Sequence, residues 1–335
     1  MKKKLSNIFK YILFFGLGVF LVWLSINQIK GNPKEWAEFK LALSTANYWL
    51  IIPVFGILSA SHVLRALRWR ILMGPMGYHT SFPNTFFAVM IGYMANMAVP
   101  RLGEVLKCTI LAKYEKVPAE KIIGTIVAER AFDVVSLGII FLLALIFQFD
   151  VVIAAYRHLQ EFMAGKPHET MSQTKQITLI AIAIIAALIF IWLIISKKLN
   201  RFFIAIKKIL KGIWEGLSTA SRLKHKKLFF VYSISIWVLY LAGTWIGFYA
   251  TTGTAGLGLQ EAISCLAFAS IGMIVTPGGV GAYAILLAYV LVENNIAYPL
   301  GIANGTLQWF AQCIIVLIVG FLCLIMLPIY NKKKL

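Results

Sequence analysis

Acidic residues are scarce. Only 13 Asp and Glu stand against 32 Lys and Arg in 335 residues, a formal charge of +19. Charge of either sign makes up 13% of the chain, and 60% is hydrophobic. A soluble domain could not cover so much apolar surface. The short alternating segments of a membrane β-barrel are also missing. Cysteine is limited to Cys108, Cys265, Cys313 and Cys323, scattered through apolar sequence without pair spacing. That excludes a disulfide framework and a cysteine metal site, and predicts buried thiols. His79, His158, His168 and His225 fall in expected loops with no metal spacing, and His62 reads as a packed polar residue at a span end. No Walker loop, dinucleotide fingerprint, HExxH or Ser/His/Asp arrangement occurs. The expectation is therefore a protein with no cofactor or metal, no ATPase of its own and no enzymatic activity.

Long apolar runs are what the chain has instead. They occur near residues 11–26, 48–64, 86–99, 122–149, 177–195, 229–250, 257–275, 282–292 and 301–327. Several reach the ~20 residues needed to cross hydrocarbon, so the fold class is all-α, a polytopic membrane helix bundle. The first run lacks a small-x-small cleavage site and reads as an uncleaved span. Basic residues cluster at the ends of runs, in "MKKK", "NKKKL" and 197–227. This placement fits orientation by the positive-inside rule and attraction to anionic lipid, not nucleic acid binding. Both termini are expected to be cytoplasmic, in a prokaryotic plasma membrane. The segment 197–227 reads as a cytoplasmic basic amphipathic helix. The mixed-charge connections 28–47 and 150–175 suit the outside. Trp49, Trp69, Trp237 and Tyr330 fit an interfacial aromatic belt.

Two runs are interrupted where a bilayer would forbid bare backbone. "MANMAVPRLGE" breaks at Pro100 and "IVTPGGVGAY" at Pro277. Arg65, Arg68 and Arg70 precede the first interruption and Lys107, Lys113, Lys116 and Lys121 follow it, so this segment should enter and leave on the cytoplasmic face. By the same logic the second should enter and leave from outside. The expected architecture is two opposed re-entrant helix pairs and six complete spans, in a single membrane domain over 1–335. Its halves, 1–150 and 176–328, would form an inverted repeat, an arrangement recurrent in transporters. Free N–H groups after the second break, around Pro277, Gly278, Gly279 and Gly281, would suit an anion.

Charge at membrane depth is expensive, at least roughly 2.5 kcal/mol per group. Arg101 and Glu104 sit at the first break with Asn96 just before it, and "VAERAFD" puts Glu129, Arg130 and Asp133 into a span. Glu129 and Asp133 share a helix face and need cations such as Arg130, Arg101 or Arg65. The residues support two readings: a structural ion network, or a polar cavity whose arginines hold a lipid phosphate. Arg65 also allows a snorkelling role, the favoured reading for Arg68 and Arg70.

"LRALRWRIL", "NMAVPRLGEVLK", "AERAFD" and "TPGGVGAY", in this order and across nearly the whole chain, resemble the lysylphosphatidylglycerol synthase transmembrane-region family. That family includes stand-alone membrane proteins and the flippase half of enzymes that make and translocate aminoacylated phosphatidylglycerol. Only a short lysine-rich tail follows the last span, so the resemblance implies a stand-alone member without the aminoacyl-transferase domain. It implies lipid translocation, not synthesis. Two departures stand out: relatives often carry an acidic residue where this chain has Ala284, and an arginine where it has Lys107. The expected function is movement or binding of an anionic phospholipid or lipid-linked headgroup. Arg101 and Arg130 would contact phosphate, with Glu104, Glu129 and Asp133 holding them. The alternatives are a secondary transporter of a small solute or ion, and a non-catalytic subunit serving a lipid-modifying enzyme.

Overall fold

The computed structural model describes residues 2–99, 101–163 and 223–332, and among them regular structure is helical throughout. The helices are α1 (Lys2–Lys30), α2 (Pro33–Ser44), α3 (Ile51–Met73), α4 (Phe82–Ala98), α5 (Leu102–Glu115), α6 (Ala119–Phe147), α7 (Phe149–Met163), α8 (Lys226–Phe248), α9 (Leu259–Val275), α10 (Ala282–Glu293) and α11 (Tyr298–Asn331). Among the described residues, four stretches are long and apolar enough to cross a membrane: Tyr48–Met76, Ala119–Phe147, Lys226–Phe248 and Tyr298–Asn331. Their outer faces carry large apolar side chains such as Ile146, Ile234 and Phe321, which water would not tolerate in such number. The expected span at 177–195, and the basic segment 197–227 up to residue 222, lie outside the described residues.

The connections hold more helix than their mixed charge suggested. Pro33 opens α2, and the Asn32 side chain accepts a hydrogen bond from Lys34 N–H, an N-cap that starts the helix two residues after α1 ends. α7 follows α6 after a single residue and packs against α10. Mixed charge alone reads as plain connection, and their apolar residues are few. Helical periodicity lets those few share one buried face.

Both interrupted runs form hairpins: α4 folds back on α5, and α9 on α10. The first closes so tightly that a Cβ at Gly103 would lie 2.1 Å from the Gly92 carbonyl oxygen. Each hairpin is clasped at its open end by the end of a long helix. At the first, Glu115 is hydrogen-bonded to Ser81 and Asn84, and Asn84 exchanges two amide hydrogen bonds with Asn331 at the end of α11. At the second, Gln148, capping α6, donates to Glu261 (3.1 Å) and Asn294 (2.9 Å). α6 is 29 residues long, about 44 Å. The first hairpin opens beside its N-terminus and the second beside its C-terminus, so the hairpins point at each other.

The two turned ends share one backbone. The residue before each proline is extended (Val99 φ −139°, Thr276 φ −120°), and the residue after is left-handed (Arg101 φ 68°, Gly278 φ 61°). Leu102 N–H donates to the Val99 carbonyl and Gly279 N–H to that of Thr276. A left-handed residue at the third position of a turn closed in this way is normally glycine. In the second turn it is; in the first an arginine occupies it. Met97 lies against Gly278, so the two turns meet.

Gly103→Val should prevent the first hairpin from closing, since backbone cannot yield as a flexible side chain can. A loss of about 3 kcal/mol or more is expected. Size-exclusion chromatography in detergent would then show aggregated or absent protein.

Candidate functional site

The first-half charges assemble through contacts between distant helices. α3 packs along α8 and touches α6, which brings Arg65 and Arg68, one turn apart, onto the α6 carboxylates. Asp133 lies between them: Arg65 Nη1 is 2.8 Å from Oδ2 and Arg68 Nη2 is 2.8 Å from Oδ1. Both guanidinium groups also approach Glu129 Oε1, at 3.5 Å. Lys107 of α5 reaches Glu129 Oε2 at 3.8 Å and lies over the rings of Trp69 and Tyr93. Arg65 Nε donates to Tyr240 Oη of α8 (2.9 Å). None of the five side chains is more than 15% exposed. Three cations against two carboxylates leave this buried cluster with one excess positive charge.

A second group surrounds the first turn. Asn96 Oδ1 accepts from Gly103 N–H (2.7 Å), so a side chain of α4 caps the start of α5 and satisfies one of its orphan donors. Arg130 Nη2 donates to Glu104 Oε1 at 2.9 Å, and this pair is open, with Arg130 52% exposed. Arg101 is exposed and makes no ion pair or hydrogen bond with any described residue. The chain holds it in a left-handed conformation that costs an L-residue roughly 1 kcal/mol.

Between the two hairpins lies a cavity of about 1300 Å³. Arg65, Asn96, Arg101, Glu104, Arg130, Asp133, Pro277 and Gly278 line it. Eight of the eleven residues singled out from sequence thus share one space. Glu129 does not reach it; it sits behind Asp133 in the ion cluster. Gly279 is also outside, and Gly281 is covered by α1, where an added Cβ would meet the Gly18 carbonyl and Leu21. The start of α10 therefore faces α1, and the second turn offers the cavity Thr276, Pro277 and Gly278 instead. The Gly278 carbonyl is held there by Trp309 Nε1–H (2.7 Å). Ala284 packs on Gly305 of α11 and does not line the cavity either.

Other residues depart from their expected places. Arg68 does not snorkel: it is fully buried, because α8 covers the face of α3 that carries it. Arg70 Nε donates to the Thr80 carbonyl. Trp69 is no belt residue; it is buried with Nε1–H on Thr125. Trp237 lines the cavity. All four cysteines are buried and free, as expected. Sequence reasoning passed over a ladder on α11. Asn304, Gln308 and Gln312 recur every fourth residue in an otherwise apolar helix, and that spacing was the available signal.

The family model for the lysylphosphatidylglycerol synthase TM region matches residues 8–320. A UPF0104 membrane protein of Methanocaldococcus jannaschii is 22% identical over 338 residues, covering 94% of each chain. No solved structure matches.

Asp133→Asn should leave Arg65 and Arg68 buried without their shared partner, at a cost of about 3–5 kcal/mol. Arg130→Gln breaks an open pair and should cost no more than about 1 kcal/mol. Thermal unfolding of the detergent-solubilised variants would show a large fall in midpoint for the first and a small one for the second.

Proposed function

This chain belongs to the lysylphosphatidylglycerol synthase transmembrane-region family and is a multi-pass membrane protein, and from that premise we propose that it moves an anionic phospholipid or lipid-linked headgroup between leaflets. One observation carries the reading: the hairpin turns meet at a cavity whose wall carries an arginine, Arg101, with no ion pair or hydrogen bond among the described residues. At about 1300 Å³ it exceeds the ~300–1,000 Å³ of ordinary small-molecule pockets, which favours a lipid over a small solute.

In this reading the α4/α5 and α9/α10 hairpins are re-entrant, entering from the cytoplasm and the outside respectively. Unwound backbone at membrane depth is tolerated where it lines a protein cavity. The halves form an inverted repeat. Supporting this, α4 packs on α11 as α9 packs on α6, and each long helix ends in an amide that clasps the other half's hairpin. Rocking of one half against the other would expose the cavity to each side in turn. Arg101 contacts the phosphate, and Arg130, steered by Glu104, is the second contact. Asp133 and Glu129 hold Arg65 at the cavity wall. The protein sits in a prokaryotic plasma membrane with both termini inside.

Vesicles containing the purified protein should exchange a fluorescent anionic phospholipid between leaflets faster than empty vesicles. Arg101→Gly suits the left-handed backbone, so it should keep or raise the unfolding midpoint while slowing exchange about 10-fold, the loss of one charge-assisted contact. Equal rates with and without protein, across several lipids, would refute translocation. For topology, Glu120→Cys should react with an impermeant maleimide only from the cytoplasm and Ala297→Cys only from outside. Labelling of both from one side would rule out opposed hairpins.

A further inference from the structure

Charge is distributed unevenly around the cavity. Arg65, Arg101, Glu104, Arg130 and Asp133 line it, and all five come from the first half of the chain. Among the described residues the second half contributes no charged lining residue; its groups with polar side-chain atoms include Trp237, Tyr240, Thr244, Ser270, Thr276, Tyr283, Gln308, Trp309 and Gln312, of which the Tyr240 hydroxyl is taken by Arg65. A ligand spanning the space would meet ions on one wall and neutral hydrogen-bonding groups on the other.

The neutral wall is built in two layers. Behind it, Asn304 Nδ2 donates to the Gly247 carbonyl, Thr251 and Thr254, and its Oδ1 accepts from Gln308 Nε2 (2.8 Å). That layer is closed and serves as interhelical glue. In front, the Tyr283 hydroxyl accepts from Gln312 Nε2 (3.0 Å) and is only loosely engaged with Gln308 Oε1, at 3.4 Å. Gln312 Oε1 and the Ser270 hydroxyl have no partner among the described residues, although both side chains line the cavity. The front layer is thus positioned by the back one, with acceptor and donor capacity left over. Such groups beside an indole suit hydroxyls of a polyol or sugar.

The carboxylates exclude the opposite chemistry. Asp133 is held by two arginines, and Glu104 has Oε1 on Arg130, while its Oε2, which has no hydrogen-bond partner among the described residues, is buried away from the cavity surface. Neither is free for an ammonium group, and Arg101 would repel one.

We propose that the second-half wall, centred on Tyr283 and Gln312, reads hydroxyl groups, so that the preferred ligand is a monoanionic phosphodiester lipid with a hydroxylated, non-cationic headgroup. This rests on the translocation reading and adds headgroup selectivity to it.

The test compares two labelled lipids of equal charge in phosphatidylcholine vesicles: phosphatidylglycerol, and phosphatidylethanol, which lacks the hydroxyls. Wild-type protein should move the first about 10-fold faster, because the second leaves the polar wall unpaired. Gln312→Leu and, separately, Tyr283→Phe should bring the ratio towards 1 by slowing phosphatidylglycerol more than phosphatidylethanol. Lysylphosphatidylglycerol, with its added ammonium groups, should move more slowly than phosphatidylglycerol. Equal wild-type rates for phosphatidylglycerol and phosphatidylethanol would overturn the selectivity and leave translocation standing, as would variants that slow both alike. No acceleration of any lipid would overturn translocation itself. Protection of a Gln312→Cys thiol by soluble glycerol 3-phosphate, without lipid movement, would reassign the wall to a free glycerophosphate and overturn the lipid assignment.

Discussion

Asp133, bridged by Arg65 and Arg68, is the interaction on which the first half depends. Two guanidinium groups taken from water need a compact anion between them, and α6 can supply it only if α3, α6 and α8 are in contact. Glu129 draws in Lys107, and with it α5 and the first hairpin. The cluster has one positive charge more than its carboxylates neutralise, and that excess lies beside the cavity. A buried network of this kind is weak evidence for stability. It does commit four helices to one arrangement and gives the cavity wall its sign.

The hairpins solve a different problem with the same parts. A helix broken in apolar surroundings leaves donors and acceptors that must be met within the protein. At the first break Asn96 caps α5; at the second Trp309 secures the Gly278 carbonyl. The open ends are tied by amides from the far ends of α11 and α6, Asn331 and Gln148, acting with the hairpins' own Glu115 and Glu261. Both turns take one backbone form, yet glycine fills the left-handed position in one and arginine in the other. The strain at Arg101 thus falls on a cation that has no ion pair or hydrogen bond among the described residues.

Much of this was legible in the chain. The helical membrane class, the two breaks and the pairing of Glu104 with Arg130 followed from run lengths, prolines and the rarity of acidic residues in apolar sequence; Glu129 and Asp133, expected to hold Arg101 and Arg130, instead pair with Arg65, Arg68 and Lys107. Arg68 was misread because a basic residue near a run end resembles a snorkelling one until the covering helix is known. The amides of α11 were missed because each alone passes for an ordinary packing group. Gly279 and Gly281 were expected at the site because glycine-rich breaks free N–H groups, but α1, far away in sequence, covers Gly281, and Met273, Trp309 and Tyr283 enclose Gly279.

What the amino-acid order determined by itself was local: where helices form and stop, and which segments need a nonaqueous surround. These depend on side-chain hydropathy and on backbone freedom within a few residues. Tertiary structure alone decided which cation meets which carboxylate, which turn faces the cavity and which polar wall stays uncharged. Those pairings join residues such as Arg65 with Asp133, or Asn84 with Asn331, whose proximity arises only when the intervening helices pack.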